Sequence, residues 1–326
     1  MIRVLAITNN LQQASFRLRV QALIEPLSRR GVELTVAVRP RRFFERRALL
    51  GAARTFDAAL LQRKLLDPID IRLLRRNAKR LVFDVDDAVM YHSRPAGPFS
   101  AWQTRRRFIA TARHVDLVVA GNEYLAGLFR DRGAEAVVLP TGVNPSHYAI
   151  KSHIAAESPA LVWIGSASTL PYLESAFPAL AEAARQVAGL RLIVIADRAP
   201  AQSPIPTEHV PWSVETESAA LCRGDIGIAP TPCDPWTLGK CGFKIVQYMA
   251  AGLPVIASPV GGNAEIVAGG QTGLLPNDYS KWPEAVAALA ADVELRKRMG
   301  LAGRKRVEEN FTNELAADQW ARWLAR

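Results

Sequence analysis

The chain has 326 residues, 49% hydrophobic and 22% charged, a composition that argues for a folded globular protein and against sustained disorder. Three cysteines without a C-x-x-C pair (Cys222, Cys233, Cys241) and five scattered histidines argue against a disulfide framework and give no zinc pattern. The net charge of +10 is uneven: residues 1–157 carry 26 Lys and Arg against 14 Asp and Glu, whereas residues 158–326 carry 15 against 17. A basic half joined to a near-neutral half points to two domains with different partners, and basic surface attracts nucleic acid, anionic lipid or phosphorylated ligands.

In chain order, IRVLAIT (2–8) reads as a buried strand. A helix over 15–31 follows, with Phe16, Val20, Leu23 and Leu27 on one face and Gly31 as its stop. Arg17 and Arg19 open that helix and are candidates to hold a ligand's phosphate or pyrophosphate; a solvated helix face is the alternative. Strands are expected at 33–38, 57–61, 80–85, 115–120 and 136–140, with helical patterns between most of them. Between the second and third lies RPRRFFERR, in which Arg39, Arg41, Arg42, Arg46 and Arg47 surround Phe43 and Phe44. It reads as a basic amphipathic helix for an anionic membrane surface, or as an exposed basic face over core aromatics. No nucleic-acid module pattern is present, so nucleic acid is not an expected partner.

The strand LVFDV leads into a crowd of acids, Asp84, Asp86 and Asp87. Three roles fit: an Asp-x-Asp metal site, a ligand-contacting cluster at a strand end, or capping of the next turn. Asp86 and Asp87 lie beyond the apolar run and are the functional candidates, with His92 as a neighbour. His114, His147, His153 and His209 read as surface or loop residues.

Residues 140–160 read as a connection, after which the pattern restarts. Strands are expected at 160–165, 191–196, 225–230 and 254–259, and helices near 171–188, 216–222, 242–251 and 281–291. Short helical segments run from about 292 to the end. Strands alternating with helices give an α/β chain of two tandem Rossmann-like domains. The boundaries are 1–157, 158–305, and a C-terminal helix 306–326 crossing back to the first domain. The expected arrangement has both sets of strand ends facing an interdomain cleft. No signal peptide or membrane-length apolar run is visible, so the expected location is cytoplasmic.

The stretch GKCGFKIVQYMAAGLPVIASPVGGNAE (239–265) carries the most chemistry. Glycine turns feeding helix N-termini cradle phosphates, because unpaired N–H groups and the helix dipole point at the anion. Lys240 and Lys244 add charge beside the cradle, and Gln247, one turn after Lys244, is placed to reach ribose hydroxyls. The turn Gly261–Gly262–Asn263 opens a second helix, where Glu265 caps or is solvated. Trp212 either lines a base pocket or packs in the core.

This stretch resembles the nucleotide-sugar site of the retaining glycosyltransferases of family four, which have the B-type, double-Rossmann fold. WIGSASTL (163–170), PTGVN (140–144), DIGIAPTPCDPW (225–236) and GRKRVEENFT (303–312) resemble further blocks of that family in the same order. The resemblance implies a donor site in the C-terminal domain, with Gly165 and Ser166 at the first phosphate turn, and an acceptor site in the N-terminal domain that uses Arg17, Arg19 and Asp84. It implies a nucleoside-diphosphate sugar as donor substrate, a lipid-linked or polysaccharide acceptor, and neither cofactor nor bound metal. Lys244 stabilises the leaving diphosphate in this picture and joins Asp86 and Asp87 as a catalytic candidate. Many family members carry two glutamates with seven residues between them; Gly239 and Gln247 stand in their places. Asp234 is the candidate substitute for the first, which contacts the transferred sugar. The Arg and Lys that many members place after the first donor-domain strand are also missing, and Lys240 and Lys244 are expected to supply that charge. Two rival expectations follow: a catalytically silent nucleotide-sugar-binding subunit, and a double-Rossmann epimerase.

Overall fold

The structure, a computed structural model, describes residues 1–91, 97–155 and 157–326. His92 lies outside the described residues. The chain divides into two compact units.

The first unit comprises Met1–Gly142, Asp234–Cys241 and Asn313–Arg326. Its elements are β1 (Ile2–Thr8), α1 (Ala14–Arg19), α2 (Ile24–Ser28), β2 (Val32–Val38), α3 (Phe43–Ala52), β3 (Ala58–Gln62), α4 (Pro68–Asn77), β4 (Leu81–Val85), α5 (Pro98–His114), β5 (Leu117–Ala120), α6 (Glu123–Arg130) and β6 (Ala136–Val138). The six strands are parallel in the order β2-β1-β3-β4-β5-β6. Strand residues alternate between two cores. Leu5 and Ile7 pack with Leu50, Ile71, Leu74, Phe108 and Phe129 from α3 to α6. Val4 and Ala6 pack with Phe16, Val20 and Leu27 on the other face.

The second unit comprises Val143–Cys233 and Gly242–Thr312. It holds β7 (Ala160–Ile164), α7 (Leu170–Glu174), α8 (Phe177–Gln186), β8 (Arg191–Ala196), β9 (Thr207–Pro211), α9 (Glu217–Leu221), β10 (Ile226–Ala229), α10 (Phe243–Ala250), β11 (Val255–Ala257), α11 (Gly262–Ile266), β12 (Gly273–Leu274), α12 (Trp282–Ala291) and α13 (Val293–Asn310). The parallel order is β12-β11-β10-β7-β8-β9. Here Val162 and Ile164 face α10 and Leu161 and Trp163 face α8 and α12. A final helix, α14 (Asn313–Leu324), belongs to the first unit and buries Ala317 and Trp320 against Val4 and Leu27. Arg30 ties it down through Glu314 at 2.9 Å and Asp318 at 2.7 Å.

Two Rossmann-like domains are therefore present, with differences in detail. The limits read from the sequence shift: residues 143–155 and 306–312 lie with the second unit, where Val143 bridges Thr312 and Lys151 pairs with Asp225 at 3.2 Å. Residues 234–241 lie with the first unit. The single helix expected over 15–31 is two short helices. The helix breaks at Val20 (φ -123°), before α2 begins at Ile24, so that Pro26, which lacks an N–H, falls in the first turn of a new helix where no intrahelical bond is needed. Strand β9 was not expected, because its largely exposed edge residues carry no apolar run.

In each sheet the strand order reverses once, between β1 and β3 and between β7 and β10. Crevices outside the carboxyl ends of such a pair are where open α/β sheets bind ligands.

Candidate functional site

In the second unit the glycine-rich stretch forms two turns that abut. Gly242 (φ 65°) starts α10 and Gly261 (φ 56°) starts α11, both beyond carboxyl ends of β10 and β11. A Cβ on Gly242 would lie 3.2 Å from the carbonyl carbon of Gly262 and 3.3 Å from the Asn263 nitrogen, so only glycine allows this approach. Among the described residues the amides of Gly242, Phe243, Gly261 and Gly262 donate to no acceptor. Four N–H groups without acceptors therefore lie at two helix starts that touch at Gly242 and Gly262. Lys244, in the first turn of α10, sits with its ammonium 4.4 Å from the Trp163 ring centroid at the end of β7. A cation over an indole face is held by the ring quadrupole.

The other expected donor residues turn inward. Gln247 is buried and donates its amide to Glu217 at 2.7 Å. The same carboxylate accepts from the Tyr148 hydroxyl at 2.6 Å and from Trp212 Nε1 at 2.7 Å. Glu217 thus satisfies three donors, and burial with its charge pushes the Tyr148 hydroxyl far up. Trp212 is half-buried against the second-unit core. Asn263 donates to Ser258 O at 3.1 Å and holds its own turn. The Gly165–Ser166 turn does not act as an N–H cradle: its amides are taken by Ile195 O (3.0 Å) and Thr169 Oγ1 (3.1 Å). The Ser166 hydroxyl is exposed and bonded to Ser168.

Three residues expected beside the donor lie in the first unit instead. The αL turn at Gly242 separates Lys240 from Lys244. Lys240 pairs with Asp87 at 2.7 Å and lies 5.0 Å from the Trp236 ring centroid, so its charge is neutralised there. Asp234 caps the following turn, its Oδ1 accepting from the amides of Trp236 and Thr237, both at 2.8 Å. Gly239 is buried, and a Cβ there would be 2.6 Å from the Cβ of Ala88 and 2.7 Å from its nitrogen. No side chain fits, which is the physical reason a glutamate is absent. Asn122 holds this segment by donating to Leu238 O (2.9 Å) and Lys240 O (3.0 Å), and the Cys241 thiol donates to Asp86 O at 3.1 Å.

The acids at the end of β4 do not converge. Asp84 is fully buried and receives Arg19 Nη2 at 2.6 Å and Nε at 3.0 Å. Arg19 completes its fork on Leu139 O (2.9 Å) and Thr141 Oγ1 (3.1 Å). Both were expected to bind acceptor; they form a closed structural pair instead. Arg17 is half-buried on α1. Asp87 is bridged by Arg63 Nη2 and Lys240. Asp86 lies 3.7 Å from Arg63 Nε, and its Oδ1 accepts no hydrogen bond. Burial, then the Asp87 charge, pushes its carboxyl up to about 6, against the pull of Arg63 and Arg19. Among the described residues no three His, Cys, Asp or Glu side chains form a group that could hold a metal ion.

The residue that organises these acids, Arg63, has φ 58°, the one described non-glycine residue with positive φ. Left-handed backbone at a strand end is strain of the kind found at functional sites. Sequence reasoning missed it, and also missed Glu217, because neither stands in a motif. Of the basic segment, Arg46 pairs with the buried Asp70 at 2.6 Å and Arg42 with Glu45 at 3.3 Å. Phe44 is 83% exposed rather than packed in the core. Among the described residues no helix is long and apolar enough to cross a membrane.

Residues 158–292 match the family described as Glycosyl transferases group 1. Alpha-maltose-1-phosphate synthase of Mycolicibacterium smegmatis is 35% identical over 107 residues, 30% of this chain and 26% of that protein. Glycogen synthase of Mycobacterium tuberculosis is 25% identical over 254 residues, 70% of this chain and 60% of that protein. The chain thus spans only part of these relatives' length. Among solved structures, Anabaena Alr3699/HepE in complex with UDP-glucose superposes with a TM-score of 0.74 at 14% identity, covering 100% of both chains. Fold and relatives together support the superfamily of glycosyltransferases built on two Rossmann-like domains.

Proposed function

We propose that the chain is a retaining glycosyltransferase that moves a sugar from a nucleoside-diphosphate sugar to a lipid-linked or polysaccharide acceptor, without a bound metal. The observation that carries this reading is the meeting of the two glycine turns, with four undonated amides beside Lys244. A departing diphosphate gains negative charge as the sugar bond breaks. Fixed N–H dipoles and a lysine stabilise that charge without reorganising. The second unit then binds the donor, as the family match over 158–292 supports. Trp163 holds Lys244 in place, and Glu217 ties Tyr148, Trp212 and Gln247 together within the second unit.

The first unit binds the acceptor. Asp86 positions the acceptor hydroxyl through its Oδ1, which accepts no hydrogen bond among the described residues. Asp87, clamped by Arg63 and Lys240, orients the same group. Retention by front-face attack asks little more of the protein than positioning, because the leaving phosphate takes the acceptor proton. The excess of cations over residues 1–157 supports a place at the cytoplasmic membrane face, in cell-envelope or exopolysaccharide synthesis.

A second reading, a silent nucleotide-sugar-binding subunit, is favoured by Gly239, where the packing against Ala88 leaves no room for a sugar-binding carboxylate. A panel of nucleotide sugars, assayed for binding and for turnover with and without EDTA, separates the two. Turnover unaffected by EDTA supports the transferase, binding without turnover supports the subunit, and absence of binding refutes both.

A further inference from the structure

Helices α3, α4 and α5 follow β2, β3 and β4, and all three pack into one core with Leu5 and Ile7. α4 lies against both α3 and α5, and Arg46 of α3 pairs with the buried Asp70 of α4 at 2.6 Å. In a parallel sheet each crossover helix begins at the carboxyl end of the strand before it. The three first turns therefore emerge side by side at that end of the sheet, with neighbouring helix axes roughly 8–10 Å apart.

These tips are apolar. Phe43 and Phe44 open α3, Ile69 is second in α4 and 65% exposed, and Phe99 is second in α5 and 69% exposed, with Trp102 close to one turn further on. Phe43 and Phe44 meet edge to face at 5.4 Å, and Phe99 and Trp102 stack at 5.8 Å. Among the described residues every exposed phenylalanine and tryptophan lies on these tips.

About one turn behind each tip stands an exposed arginine: Arg47 after Phe43 and Phe44, Arg72 after Ile69, and Arg105 and Arg106 after Trp102. Arg47 lies 5.3 Å from the Phe43 ring centroid and Arg106 4.6 Å from that of Trp102. None of the four forms an ion pair among the described residues. The acids of these helix starts are engaged: Glu45 with Arg42, Asp67 as the cap of α4, and Asp70 with Arg46. A helical turn rises about 5.4 Å. Apolar tips with a band of cations one turn back match the depth profile of a lipid interface, where apolar side chains sink about 5–10 Å and arginines reach the headgroups. A second copy of the chain would set like charges against each other, so charge complementarity selects an anionic surface. Ile69, between the two aromatic tips, offers no ring for a base to stack on, which disfavours single-stranded nucleic acid.

We propose that the first unit docks on an anionic lipid bilayer through the tips of α3, α4 and α5, with Phe44, Ile69, Phe99 and Trp102 seated below the headgroups and Arg47, Arg72, Arg105 and Arg106 level with the lipid phosphates. This rests on the membrane-face placement proposed above and names the surface that makes it. It departs from the basic stretch 39–47 taken alone, because Arg46 is spent on Asp70 and α4 and α5 supply the other contacts. Asp86 and Asp87 follow β4 at the same end of the sheet, so docking brings the acceptor-binding residues to the lipid.

The test is sedimentation with vesicles of phosphatidylcholine, with and without phosphatidylglycerol, together with tryptophan fluorescence. The wild-type protein is expected to bind the phosphatidylglycerol vesicles at least tenfold more tightly than phosphatidylcholine alone. Phe44→Ser and Phe99→Ser are each expected to weaken that binding about tenfold or more, as withdrawal of a ring from an apolar site requires. Their melting temperatures should not change, because both rings are exposed in the free protein. Trp102→Phe is expected to keep the binding and lose most of the vesicle-induced blue shift in emission. Arg298→Gln, which removes an exposed cation of α13, is expected to bind as the wild type does. No sedimentation of the wild type, or equal sedimentation of both serine variants, overturns the proposal. Binding without a blue shift that depends on Trp102 also overturns it, since adsorption by charge alone inserts no ring. A Phe44-dependent dimer, or binding to a single-stranded oligonucleotide, in place of vesicle binding assigns the surface to another partner and overturns it too. Nucleotide-sugar turnover measured in parallel separates the two levels: vesicle binding without turnover upholds the surface and removes the enzymatic reading, and turnover without vesicle binding removes the surface and leaves the enzyme.

Discussion

Asp84→Asn tests whether the Arg19–Asp84 pair builds the fold or binds a ligand. Both side chains are almost wholly excluded from solvent, at 3% and 1% exposure. The substitution keeps the shape of the side chain but presents an amide N–H₂ to a guanidinium that can only donate. Arg19 keeps Leu139 O and Thr141 Oγ1 as partners and loses its counter-charge. Breaking a buried pair from one side costs about 3–5 kcal/mol. The first unit has roughly 160 residues, so its unfolding entropy is about 0.34 kcal/mol per kelvin, and the melting temperature should fall by about 9–15 °C. Replacing both partners with apolar residues, Arg19→Met with Asp84→Leu, should recover most of the loss, because no charge then remains buried. Calorimetry on the three proteins is the assay. A variant Asp84→Asn that melts within about 2 °C of wild type while losing acceptor affinity would refute the structural assignment and restore the pair to the binding site.

Three further outcomes follow from the geometry. Glu217→Ala leaves Tyr148, Trp212 and Gln247 without their common acceptor and should cost roughly 2–4 kcal/mol in denaturant unfolding, more than Gln247→Ala. Gly239→Ala forces a methyl against Ala88 and should destabilise the first unit by about 1–3 kcal/mol; a neutral effect would mean that the segment lifts away readily. Asp86 has a folded value near 6, above its unfolded value of about 3.9, so the folded state binds the extra proton between these limits. Its contribution to stability is therefore greatest at low pH and declines as pH rises from about 4 to 6. The wild-type stability curve should fall across that window relative to Asp86→Asn, and parallel curves would show that Asp86 is not buried as a carboxyl.

The fold was legible because strands buried on both faces of a parallel sheet are continuous apolar runs, and ALVWI or RLIVIA leave little choice. β9 was not, because its edge residues Thr207 and Glu208 face solvent and carry no such run. Of the candidate site, the glycine turns were visible as spacing, but the partners were not. Lys240 and Lys244 are four residues apart, and the left-handed turn at Gly242 sends them to different units. The crowded acids after β4 looked like one cluster, yet Asp84 turns to Arg19 and Asp87 to Arg63. Arg63 is an isolated arginine after a strand; its importance lies in a backbone angle and two contacts that no spacing encodes. Glu217 was hidden for the same reason, since its three donors come from positions 148, 212 and 247. The basic half proved divided, with arginines such as Arg19, Arg46 and Arg75 engaged in ion pairs and, among the described residues, Arg39, Lys64 and Arg107 in none.

The central claim is that the abutting glycine turns and Lys244 hold the diphosphate of a nucleotide sugar. Calorimetric titration of nucleoside diphosphates into the wild-type protein and Lys244→Ala tests it most directly. Binding of at least one nucleoside diphosphate is expected, with a loss of about tenfold or more in Lys244→Ala for one lost charge-assisted contact and an unchanged melting temperature without ligand. Equal affinity in the two proteins, or no binding of any nucleoside diphosphate to the wild type, would contradict it.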